Sequence, residues 1–200
     1  MDRLWTPWRY SYVSRTEPDG RRGVPAALSA WPAEYDKHCV FCNLRAAADY
    51  AIEQGMPASD ADHAALIVHR ATYCFICLNA FPYATGHVLI VPHRHLDSLT
   101  LLDPDALTEI MRLAQRTEAV LRAAYRPDGL NLGLNLGEAA GAGVADHLHL
   151  HALPRWRGDT NFMTVTAETR VLPETLDLTW EKLRNAFAAE ATWYPRSSSM

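Results

Sequence analysis

The stretch Asp146–Trp156, DHLHLHALPRW, decides how the rest of the chain is read. His147, His149 and His151 alternate with Leu148, Leu150 and Ala152. That is the two-residue period of a β-strand, on which every second side chain shares a face. The apolar partners explain how such a strand is anchored, but not why its other face is all histidine. A solvated polar face would mix Thr, Lys and Glu with the histidines. Imidazole offers two chemistries. It ligates metals, and as a neutral nucleophile it attacks phosphorus to form a covalent intermediate. The first and third of three alternate residues lie about 13 Å apart on a straight strand. The three histidines therefore cannot all grip one ion there, and a metal taking one or two of them needs other ligands.

Working outward, the segment after Gly129 alternates Leu with Asn or Gly and reads as a strand, followed by the small-residue loop EAAGAGVA. Before it, Asp103 and Pro104 make a helix start, an N-cap residue and a proline at the first helical position. Apolar residues at helical spacing run from Leu107 to Leu121 and carry that helix to about Tyr125. AALIVHR and YCFICLN read as a hairpin about Ala71 and Thr72, and HVLIVP, opened by Gly86 and stopped by Pro92, as a third strand. CVFCNLRAAADYAIEQG reads as a tight turn and a short helix ended by Gly55. FMTVTA is a further strand, and Pro173 opens a last helix to about Ala189. The sum is an α+β fold: an antiparallel sheet with one long crossover helix and helices at both ends. We expect an N-terminal arm over residues 1–36 packed on the domain by its tryptophans, one domain over 37–194, and a flexible tail over 195–200.

A net charge of −4 argues against general affinity for nucleic acid or for an anionic membrane. No apolar run is long enough for a signal-peptide core or a membrane span, so a cytoplasmic protein is expected, with its four cysteines reduced or bound to metal. Cys39-x-x-Cys42 offers two thiolates to one ion, and HRHL supplies His93 and His95 nearby. The rival four-cysteine set adds Cys74 and Cys77. These are three apart on a strand, so they point to opposite faces and read as buried apolar-like side chains. His38, His63, His69 and His93 read as surface or incidental positions.

HLHLHALPRW resembles the His-x-His-x-His-x-x signature of the histidine triad family of nucleotide hydrolases and transferases. NAFPYATGHVLIVPHRH resembles that family's Gly-His segment. NLGEAAGAGVADHLHLHALPRWRGDTNF, RLWTPWRY and VLPETLDLTWEKL resemble its bacterial branch related to diadenosine tetraphosphate phosphorylases. The resemblance implies a nucleotidyl transfer on adenine dinucleotide polyphosphates, to water or phosphate, in a homodimer. His149 would be the nucleophile, His151 a contact to the phosphate, and His87 a support for the nucleophile. Asn79 would meet the ribose, while Asn135, Gly141 and Gly143 would face the phosphates. Trp156 either stacks on a base or packs. Zinc-bearing members place their structural ion on the counterparts of Cys39, Cys42, His95 and His147, and magnesium could accompany the substrate. The better-studied branches carry Gln or Ser in the loop where this chain has Ala142, Gly143 and Val144. Two alternatives stay open: a zinc hydrolase using the triad as a catalytic metal site, and a nucleotide-binding module without turnover.

Overall fold

The computed structural model describes residues 23–159 and 173–190. The strand expected in FMTVTA, the first part of the arm and the tail lie outside the described residues. Among the described residues five strands, β1 Ile67–Arg70, β2 Cys74–Leu78, β3 Val88–Pro92, β4 Gly129–Leu134 and β5 Leu150–Arg155, form one sheet in the order β1-β2-β3-β5-β4. Every pairing is antiparallel. β5 lies antiparallel to both β3 and β4, so β3 and β4 run parallel to each other. A tight turn cannot join two parallel strands. The 22-residue helix α3, Pro104–Tyr125, makes that connection, and β5 returns into the gap between them. The chain thereby places its histidine-bearing strand in the interior of the sheet.

Both faces of the sheet are covered. Ile76, Val88, Ile90, Leu148, Leu150 and Ala152 pack with α3 and with the last helix, α4 (Leu176–Ala189). Phe75, Cys77, Leu89 and Val91 pack on the other side with α1 (Val40–Glu53) and α2 (Ala58–Ala64). This double burial explains why β2 is apolar at every position rather than alternating. Leu28 and Trp31, from the arm, are buried in that second layer. Cys74 and Cys77 go to opposite layers as expected, and burial pushes each thiol up to about 12.

Three local differences from the sequence reading have physical causes. Helix α2 was not expected, because its inward positions are small residues, Ala61 and Asp62, that give no strong apolar period. The hairpin strand that the sequence starts at Ala64 begins only at Ile67, after Leu66 in a left-handed conformation (φ 55°). The triad strand begins at Leu150 rather than His147. His147 and His149 lie in a lead-in that precedes the strand and is held where the Leu148 N–H donates to the Leu96 carbonyl at 2.6 Å.

Candidate active site and metal cluster

The lead-in to β5 brings His147 to the start of α1. Cys39 is the N-cap of α1 and Cys42 lies in its first turn, so one turn of helix turns both sulfurs toward one point. The ligand atoms of Cys39, Cys42, His95 and His147 all lie within 4.8 Å of one another. His147 Nδ1 is 3.2 Å from Cys39 Sγ, 3.5 Å from Cys42 Sγ and 3.3 Å from His95 Nδ1. Zinc bond lengths give tetrahedral edges of about 3.3 to 3.8 Å, so the donor set fits that ion. The tautomer fits too. His147 Nε2–H donates to the Pro92 carbonyl at 3.0 Å, which leaves the Nδ1 lone pair facing the sulfurs. A hydrogen bond from Cys42 holds the Cys39 sulfur well below the ordinary thiol range, and the same contact holds Cys42 well above it. A cation between the two sulfurs would favour the thiolate form of both. Of the three alternating histidines only His147 reaches this cluster. Four protein donors leave a tetrahedral ion no open position.

His149 is 5% exposed, and its ring is turned the other way. Its Nδ1–H donates to the His147 carbonyl at 2.8 Å, so Nε2 carries the lone pair. Burial pushes its pKa down, which keeps the ring neutral. His149 and His151 line a cavity of about 390 Å³. Val40, Phe41 and Leu44 of α1 form one apolar wall, and the segment Asn79–Tyr83 forms another.

A hydrogen-bond chain fixes the third histidine. The Tyr83 N–H donates to His87 Nδ1 at 3.1 Å, so the proton of His87 is on Nε2. That Nε2 is 2.9 Å from His151 Nδ1, so His87 donates and His151 keeps its own proton on Nε2. The β3–β5 register puts His151 opposite Leu89, which brings His87, at the foot of β3, to its side. The resemblance assigned His87 to the nucleophile, whereas this contact joins it to His151. Gly86 turns the chain here with φ 79°. A Cβ at that position would come within 2.7 Å of the Tyr125 ring, which explains the glycine before His87.

Among the expected substrate groups, Asn79 and Gly143 line the cavity. Asn79 also shapes the loop, accepting the Phe81 N–H at 2.9 Å, and its amide is 3.3 Å from His87 Nδ1. Asn135, Gly141 and Trp156 lie outside the lining. Gly141 ends a short 3-10 turn over Glu138–Ala140 with φ 88°. Trp156 stands edge-on to Tyr125 at 6.2 Å, and the Asp159 carboxylate accepts its backbone N–H. Asp159 also pairs with Arg155 through two hydrogen bonds. Sequence pattern does not single out Phe41 or Tyr83, whose rings lie against these histidines. Their neighbours in the fold are distant in the chain. His69 and His93, read from the sequence as surface or incidental positions, are half-buried and stacked on Phe187 and Phe75.

Comparison with known proteins agrees with this geometry. Residues 61–158 match the HIT domain family. The chain is 34% identical over 190 residues to a Mycobacterium tuberculosis protein named AP-4-A phosphorylase, covering 95% of this chain and 86% of that one. A Zn-bound histidine triad family protein from Mycobacterium smegmatis superposes with a TM-score of 0.54 at 27% identity, over 76% of this chain and 94% of its own. A hypothetical histidine triad nucleotide-binding protein from Sulfolobus tokodaii gives 0.56 at 25% identity, over 76% and 93%.

Proposed function

The chain belongs to the histidine triad family, and from that premise we propose that it cleaves adenine dinucleotide polyphosphates by transferring a nucleotidyl group through His149. One observation carries the reading: the Nδ1–H of His149 is tied to the His147 carbonyl, so a neutral ring presents its Nε2 lone pair at the cavity. In the first step Nε2 attacks the α-phosphorus, a P–N bond forms, and the bond to the bridging oxygen breaks. The departing oxygen leaves as the nucleoside polyphosphate anion, to which the His151 Nε2–H donates a hydrogen bond. His87 is a positioning residue that keeps His151 in the donor tautomer. In the second step the acceptor attacks the same phosphorus and the P–N bond breaks. Phosphate as acceptor turns the adenylyl group into ADP, and water turns it into AMP. The relative named AP-4-A phosphorylase supports phosphate.

The apolar wall of α1 would take the base, Asn79 the ribose, and Gly143 with Gly141 and Asn135 the phosphates. Trp156 would serve the second nucleoside, outside the cavity. Cys39, Cys42, His95 and His147 would hold a structural zinc. When bound it neutralises the thiolates and fastens α1 to the lead-in of β5, and magnesium would enter with the phosphates of the substrate. We place the protein in the cytoplasm; among the described residues no helix is long and apolar enough to cross a membrane. A homodimer and the 1–36, 37–194 and 195–200 division belong to the same reading. Among the described residues β4 is an edge strand, with Leu132 44% exposed, and would offer a second copy a backbone edge.

The test is to mix the protein with diadenosine tetraphosphate, with and without phosphate, and to follow nucleotide products and intact protein mass under denaturing conditions. The expected results are ADP and ATP with phosphate present, and an adenylyl adduct on the protein. His149→Ala loses the adduct and at least about a thousandfold of the turnover. Unchanged turnover in that variant would falsify the mechanism.

A further inference from the structure

We infer that Phe41 is a positioning residue that couples the metal cluster to the nucleotide cavity, so that a metal ion and a nucleotide each tighten the other's binding. The inference rests on the reading that the cavity takes a nucleotide. The first turn of α1 serves two sites at once. Cys39 and Cys42 face the cluster, while Val40, Phe41 and Leu44 line the cavity. Phe41 sits between the two cysteines in sequence and is 5% exposed. Its ring stands edge-on to the cluster's His147, with centroids 5.5 Å apart and planes at 84°. The same ring lies 5.1 Å from His149 at 51°. One side chain thus touches a metal donor, the nucleophile and the space where a base would lie.

A second, independent link runs through the backbone. His147 offers its side chain to the cluster and its carbonyl oxygen to the Nδ1–H of His149. Its ring is held from behind by Pro92. A shift of the α1 turn away from His147 therefore moves the cavity wall, and it loosens the ring against which the nucleophile is packed. Close-packed rings pass on such shifts because no void is there to absorb them. A base seated against Phe41 presses the same turn back onto the cluster. Binding linkage requires the two effects to be equal in size.

The experiment uses the full chain loaded with zinc. Zinc affinity is measured by competition with a chromogenic chelator, with and without saturating AMP, and AMP affinity is measured by calorimetry on zinc-loaded and metal-stripped protein. We expect AMP to tighten zinc binding about tenfold, and zinc to tighten AMP binding by the same factor. Phe41→Leu weakens AMP binding and reduces the coupling factor to near one, with Phe41→Met as the second variant should Leu prevent folding. Leu183→Ala, at a buried position of α4 in the core layer opposite that of Phe41 and Cys39, lowers stability and keeps the coupling. That control separates a coupling through Phe41 from one that passes through global folding. Coupling that survives in Phe41→Leu or Phe41→Met, or AMP binding indifferent to zinc, overturns the inference and leaves the proposed function standing. Absence of AMP binding to the zinc-loaded chain removes the proposed function itself.

Discussion

At position 86 the chain needs a residue with no side chain, and needs it for two reasons together. The backbone turns there with φ 79°, and the Tyr125 ring occupies the place of a Cβ. Alanine would meet both penalties. Gly86→Ala is expected to destabilise the fold by about 2 kcal/mol, read from urea unfolding midpoints. Because His87 is the next residue and holds the tautomer of His151, the same substitution should lower kcat more than it raises KM. Steady-state kinetics on the folded variant check this, and an unaltered kcat would show that the Gly86 turn does not set the His87–His151 bond. The glycine was visible in the sequence as a strand opener and as part of the Gly-His resemblance. Its reason was not, because Tyr125 approaches from the far end of α3.

Among the elements, α2, β1 and α4 are tied by charge as well as by packing. Asp62 of α2 is 2% exposed and accepts from Arg70 Nε of β1 at 2.7 Å. It also faces Arg184 Nη1 of α4 at 3.5 Å. Arg70 reaches on to Asp49 of α1 at 2.6 Å. A buried carboxylate with two guanidinium partners is costly to neutralise, because each partner keeps its charge. Asp62→Asn is expected to cost about 2 to 3 kcal/mol, and a thermal or urea midpoint equal to that of the parent protein would refute the expectation. Helix α3 was legible with nearly its observed limits, since its cap, its proline and its apolar period all lie within its own residues. Helix α2 was not, for its hold on the sheet is an ion pair to a strand and a helix that sequence spacing does not connect.

For the whole molecule, the response to acid follows from histidines kept neutral under the helices. His69 of β1 is pushed down to about 4 by burial, then by Arg116 and Arg184, with Glu109 opposing. Its Nε2 accepts from Arg116 at 3.1 Å, and its ring stacks on Phe187. The folded pKa is below the unfolded one, so the native state binds fewer protons between about pH 6.5 and pH 4. Its stabilising contribution is therefore full above about pH 6.5 and is lost as the pH falls through that window. The midpoint of thermal unfolding should drop from pH 7 to pH 5 and should drop less in His69→Gln, which keeps an acceptor for Arg116. Parallel curves for the two proteins would exclude His69 as a source of the acid sensitivity.

The sequence by itself determined most elements, the antiparallel α+β class and the one-sided alternation of the triad. These depend on caps, turns and periods encoded within a few residues. It carried the candidate metal set and the proposed roles of the histidines only through resemblance. What only the tertiary structure decided is how those groups meet. Cys39 and His147 lie 108 positions apart and touch because the lead-in to β5 passes the start of α1. His87 faces His151 because of the β3–β5 register, and Phe41 lies between cluster and cavity because one helical turn faces both. Strand spacing alone made the three histidines equivalent. Their different partners, a cysteine–histidine cluster, a carbonyl oxygen and another histidine, come from parts of the chain that local pattern does not link.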